Sequence, residues 1–255
     1  MATWRRGSGD LHGSLRDVLQ KAGLGAEHAK GTHVHVLGAD APPKPSTPPF
    51  LRSIPIERAL DPSTLVAWAM NGEDLTLAHG APLRLVVPGW AGDHWVKWLV
   101  RLAVQKEEAK GFFMETAYRM PTEKVEPGSV VPPEKMRPAT TFPIKSIIGA
   151  PLDGSRTPKG PQKVVGVAFS GDAPIAKVEV SLDDGKTWRP AKLEGEPGVG
   201  RWVVFEYRFE QKEPGRVRAL ARATDRKGNA QPERAAWNPS GYFWNAWHAV
   251  SWEVT

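Results

Sequence analysis

The 255-residue sequence predicts an α+β fold in which a mixed first domain, residues 1–139, is followed by an all-β second domain, residues 140–255. Three observations predict it. Apolar residues recur at helical spacing near the start, at Leu15, Val18, Leu19 and Ala22. Two apolar runs further on, 83–87 and 96–104, read as buried strands. From Ile144 the pattern changes to alternation with period two, the mark of strands that bury one face.

Composition sets the limits. With 40% hydrophobic residues the chain can bury two ordinary cores. The 34 Lys and Arg against 28 Asp and Glu give +6, which suits an anionic ligand. Nucleic acid has net charge alone behind it, because the basic residues are scattered and no run of four occurs. Cysteine is absent, which excludes disulfides, thiolate metal sites and a thiol nucleophile within the sequence. The first ten residues hold no apolar h-region, the pair Arg5-Arg6 is followed by no apolar run, and no stretch approaches a membrane span. The expectation is a soluble chain, cytoplasmic as written, or periplasmic if an upstream segment exists.

In order along the chain, Ser14 is placed to cap the helix 15–22 and Gly23 to stop it. Residues 32–37 alternate His33 and His35 with Val34 and Val36, so both histidines share one face of a strand. A His-x-His pair can bind metal, but no third ligand is near, and a partly exposed strand is the expected reading. Asp40 reads as a turn residue at the strand's end. Residues 41–49 carry five prolines and read as an extended surface loop.

The two buried runs enclose a loop whose Gly89 and Gly92 could let backbone approach a ligand. Around it stand His79, Arg84 and Lys97, three groups able to donate to an anion such as phosphate. On residue types alone, the same charges also fit a solvated surface. The proline-rich stretch 126–143 reads as a linker. Beyond it, Val178, Val180 and Leu182, then Val203, Phe205, Tyr207 and Phe209, then Val217, Ala219, Ala221 and Ala223, form the inward faces of strands. Turn signals at Asp183-Asp-Gly185 and Asp225-Arg-Lys-Gly-Asn229 space them as in an immunoglobulin-like sandwich.

The ordered run His79-Gly-Ala-Pro-Leu-Arg84, continued by Val87-Pro-Gly-Trp-Ala-Gly92 and Val96-Lys-Trp98, resembles the sulfite oxidase family of molybdopterin oxidoreductases, in which a similar run cradles the pterin. Trp4 and Leu15-Arg-Asp-Val-Leu19 resemble the segment just after that family's cysteine-bearing stretch. The motifs Ser181-Leu-Asp-Asp-Gly-Lys-Thr-Trp188 and Asn245-Ala-Trp-His248 resemble its dimerisation domain, so the likeness covers nearly the whole chain.

The resemblance implies a molybdenum cofactor oxidoreductase that moves an oxygen atom to or from a small sulfur-containing or oxyanion substrate. It assigns Asp40, His79, Arg84 and Lys97, with the backbone near Trp95 and Val96, to the pterin and its phosphate. It puts Trp68 at the position of a family tyrosine, where a core tryptophan is the alternative reading; it assigns no other catalytic residue and no metal ligand. The family's cysteine has no counterpart, so the sequence reads as the C-terminal part of the cofactor domain plus the dimerisation domain. The partners implied are a second copy, joined through the second domain, and a separate cysteine-bearing N-terminal polypeptide. The alternative is a non-catalytic dimeric remnant or binding protein of the same fold.

Overall fold

The computed structural model describes residues 13–25 and 32–255; Trp4, Arg5 and Arg6 lie outside them. The fold is mostly β with few helices. Two compact units divide the chain, Met1–Thr140 with Asn238–Ser240, and Thr141–Trp237 with Gly241–Thr255.

In the first unit, the spacing at the start does give a helix, α1 (Leu15–Lys21), capped by Ser14, whose Oγ accepts from the Asp17 N–H at 3.1 Å. Gly23 ends it at φ +96°, a conformation glycine adopts without a Cβ penalty. The elements that follow are β1 (His33–Gly38), β2 (Leu51–Pro55), α2 (Ile56–Ala59), β3 (Leu65–Ala67), β4 (Ala69–Met70), β5 (Glu73–Asp74), β6 (Arg84–Val86), β7 (Leu99–Gln105), α3 (Phe112–Glu115), β8 (Arg119–Pro121) and β9 (Met136–Pro138). β1 is the centre of an antiparallel sheet ordered β2-β1-β7. Val34 and Val36 point into the core with Ile54, Ile56 and Leu85, while His33 and His35 stay half-buried on the opposite face.

Two expectations change here. The strand predicted over 96–104 begins at Leu99, because Trp98 takes φ +50° and interrupts the extended backbone. The predicted linker contains β9, which pairs with β8; the Arg119 guanidinium ties the two by donating to the carbonyls of Met114 and Met136.

The second unit contains β10 (Lys145–Ala150), β11 (Arg156–Thr157), β12 (Gly160–Phe169), β13 (Ile175–Ser181), β14 (Arg189–Pro190), β15 (Lys192–Glu194), β16 (Val203–Gln211), β17 (Gly215–Asp225) and β18 (His248–Val254). They form two sheets, ordered β10-β12-β16-β15 and β11-β18-β17-β13-β14, around one core that includes Val164, Val178, Phe205, Ala219 and Trp252. Gly166 is required where the strands pack: a Cβ there would stand 2.1 Å from the Ile147 carbonyl and 2.4 Å from the Phe205 ring.

The alternation predicted for β13 fails at its end, where Ser181 is buried and Leu182 is exposed. The chain is already turning there: Ser181 Oγ accepts from the Gly185 N–H and donates to Asp183, which also accepts from the Thr187 N–H and hydroxyl. Those hydrogen bonds push the Asp183 carboxyl down to about 2. The aromatic residues near the C-terminus separate as well: Phe243 packs on Phe142, Trp247 on Trp188, and Trp244 is 65% exposed.

Candidate functional site

The residues that the sequence assigns to one site converge on a tight turn. Leu77–His79 is a single 3-10 turn, capped by Thr76, whose hydroxyl stands 3.0 Å from the His79 Nδ1 and also accepts from its N–H. Gly80 closes the turn at φ +99°. The Leu77 carbonyl accepts from the Gly80 N–H, and side chains donate to all three carbonyls of the turn. Trp98 Nε1 donates to the Leu77 carbonyl at 2.8 Å, Lys97 Nζ to that of Ala78 at 3.1 Å, and an Arg84 Nη to that of His79 at 3.1 Å.

The other Arg84 Nη donates to the Trp95 carbonyl at 3.1 Å, and the guanidinium lies 5.9 Å from the centre of the Trp95 ring. Arg84 is half-buried, and burial lowers its pKa, although it stays cationic at any ordinary pH. Lys97 sits 4.4 Å over the Trp98 ring. His79 is exposed.

Asp40 follows a segment that lies against the backbone of Lys97 and Trp98. The carbonyl of Trp98 accepts from the Ala39 N–H at 2.8 Å, and a Cβ on Gly38 would stand 2.5 Å from both Asp40 Oδ1 and the Lys97 carbonyl. Asp40 itself is exposed. The Val96 side chain is buried and its carbonyl accepts from the Leu85 N–H at 2.8 Å. Trp68 follows Ala67, the residue of β3 that pairs with Arg84, and its carbonyl accepts from the Leu75 N–H.

The loop between the two apolar runs is braced by groups that sequence reasoning missed. Arg52, 1% exposed, donates to Asp93 Oδ2 at 2.7 Å, to His94 Nε2 at 2.9 Å and to the Phe113 carbonyl. The His94 Nδ1 lies 3.2 Å from Asp93 Oδ1, so a neutral ring carrying its proton on Nδ1 satisfies both contacts. Burial keeps that ring neutral, with the Arg52 charge acting in the same direction and Asp93 against it. Arg58 donates to the Pro88 carbonyl and lies 5.7 Å from the centre of the Trp90 ring. A Cβ on Gly92 would meet open space. Arg52 is 41 positions from Asp93, and nothing in local spacing joins them.

The arrangement gathers two cations and an imidazole at one exposed turn, a set that can bind an oxyanion. Among the described residues, no group of three or more His, Asp, Glu or Cys is placed to hold a metal ion.

Comparison with known proteins gives the following. A family model described as an oxidoreductase molybdopterin binding domain matches residues 13–113, and one described as a Mo-co oxidoreductase dimerisation domain matches residues 137–255. Sulfite oxidase of Gallus gallus is 36% identical over 245 residues, covering 92% of this chain and 52% of its own. Sulfite oxidase of Arabidopsis thaliana is 34% identical over 256 residues, covering 92% and 64%. The crystal structure of the sulfane dehydrogenase SoxCD from Paracoccus pantotrophus superposes with a TM-score of 0.73 at 31% identity, over 87% of this chain and 52% of that one. The chain thus spans about half to two thirds of the length of these relatives.

Proposed function

Because the chain belongs to the sulfite oxidase family of molybdopterin oxidoreductases, we propose that it serves an oxygen-atom transfer to or from a small sulfur-containing or oxyanion substrate. In this reading residues 1–139 hold the pterin cofactor, and residues 140–255, an immunoglobulin-like sandwich, join two copies into a homodimer. The observation that carries the cofactor reading is the convergence of Arg84 and Lys97 with His79 on the turn Leu77–His79.

The donor chemistry fits the organic part of the cofactor. Lys97 Nζ spends one bond on the Ala78 carbonyl, and an ammonium carries three N–H donors, so two remain for a phosphate. Arg84 is fixed by two carbonyls and contributes a charge that does not reorganise on binding. His79 can donate from Nε2 while its Nδ1 is held by Thr76, and Asp40 can accept from pterin N–H groups. When bound, the cofactor's molybdenum supplies the redox change of the oxygen transfer.

The metal itself does not fit these residues. Its family ligand is a thiolate, and the 255 residues contain no cysteine. The thiolate therefore comes from outside these residues, a separate cysteine-bearing polypeptide being one source. Trp68 offers an indole N–H and no acidic phenol at the position of the family tyrosine, so a role there is limited to donating a hydrogen bond. The alternative, a non-catalytic remnant, draws no support from relatives named as oxidases and dehydrogenases.

The test is to purify the chain from a host that makes the cofactor, and to assay pterin and molybdenum separately. Pterin retained without stoichiometric molybdenum, with metal and sulfite oxidation appearing when a cysteine-bearing upstream half is supplied in trans, is the expected result. A chain that retains no pterin even with that half present would refute the reading.

A further inference from the structure

We propose that Trp98 is the positioning residue of this site: it holds the turn whose Ala78 carbonyl anchors Lys97, and so sets Lys97 for the phosphate. This rests on the cofactor reading above. Four observations meet on the one residue. Its backbone stands at φ +50°, a region that a bulky side chain occupies only when its surroundings hold it there. Its indole N–H donates to the Leu77 carbonyl at 2.8 Å, and its backbone N–H to the Gly80 carbonyl at 3.3 Å, which fixes the turn that ends in His79. Its own carbonyl accepts from Ala39, the neighbour of Asp40. Its ring lies 4.4 Å beneath Lys97 Nζ.

Packing restricts the same segment from both sides. A Cβ on Gly80 would come within 2.8 Å of the Lys97 Cβ, and one on Gly38 within 2.5 Å of the Lys97 carbonyl. The stem of Lys97 therefore has little room to shift, and the direction of its ammonium is left to the Ala78 carbonyl and the Trp98 ring face. The aromatic face attracts the ammonium without using any of its N–H donors, so the charge is held in place with donors still free for a ligand. The ring is half-buried; filling apolar space alone would require neither a left-handed backbone nor an indole N–H aimed at a carbonyl.

The experiment titrates the full chain with 6-hydroxymethylpterin monophosphate and with the phosphate-free pterin, following pterin fluorescence. The variants are Trp98→Phe, which keeps a ring and removes the N–H, Lys97→Met, and the two combined. The expected result is a loss of about tenfold in affinity for the phosphorylated probe in Trp98→Phe, a much smaller loss for the phosphate-free one, and no further loss when Trp98→Phe is added to Lys97→Met. If Trp98→Phe fails to fold by circular dichroism, Trp98→Asn, a residue type that tolerates positive φ, takes its place with the same expectation. Unaltered binding in the folded variant, or an equal loss in both backgrounds, overturns the positioning role and leaves the cofactor reading standing. Failure of the unsubstituted chain to bind either probe, with the cysteine-bearing half present as well as without it, overturns the cofactor reading and this inference with it.

Discussion

Replacing Asp93 by Asn tests the buried brace under the Gly92 loop. The Arg52 guanidinium is 1% exposed and donates to the Asp93 carboxylate at 2.7 Å, so Asp93→Asn removes a negative charge from beside a positive charge held away from water. Breaking a buried ion pair from one side costs about 3–5 kcal/mol, and because Asn still accepts a hydrogen bond, the lower end, about 3 kcal/mol, is expected. Removing the charge as well, in Arg52→Met with Asp93→Asn, should recover at least half of that, since two neutral groups of similar volume carry no uncompensated ion. Urea unfolding gives the stability change, and amide hydrogen exchange at residues 92–94 shows whether the opening is local. A loss below about 1 kcal/mol in Asp93→Asn would mean that water reaches the pair, and the reasoning from burial would be refuted.

The neighbouring His94 adds a pH dependence: its folded pKa lies below 6.5, so the unfolded chain takes up the proton first and stability falls as pH drops below about that value. In the second unit, His248 Nδ1 accepts from the Ile148 N–H at 3.1 Å, and its pKa is lowered by burial and by Lys145, with Asp153 opposing; stability should again decline below pH 6.5, and His248→Asn should remove that dependence from thermal melts. Arg84→Met should cost about 2 kcal/mol, because it strips charged donors from two carbonyls, whereas Lys97→Met should change stability by only a few tenths; equal effects in urea melts would contradict the roles assigned to them. The chain should sediment as a dimer at micromolar concentration, and a monomer would sink the role given to residues 140–255.

The elements whose physics is local were legible in the sequence. The spacing of Leu15 and Leu19 with Ser14 in front sufficed for α1, and the alternation through Val203, Phe205, Val217 and Ala219 sufficed for strands, because a side chain's face follows from its position along one element. The order of His79, Arg84 and Lys97 also carries the proposed site, since one short stretch holds all three. Only the tertiary structure decided how they act. On residue types alone Arg84 also fits a solvated surface charge, yet it is a half-buried brace between His79 and Trp95. The strand expected to begin at Val96 starts instead at Leu99, because Trp98 donates to the Leu77 and Gly80 carbonyls and accepts from the Ala39 N–H, and these bonds hold it in a conformation its own preferences disfavour. Arg52 meets Asp93 and His94 from a distant position, and Gly38 lies against the Lys97 carbonyl. Pattern along a chain fixes which face a residue presents, but a buried charge finds its partner through space, and no period in the sequence records that distance.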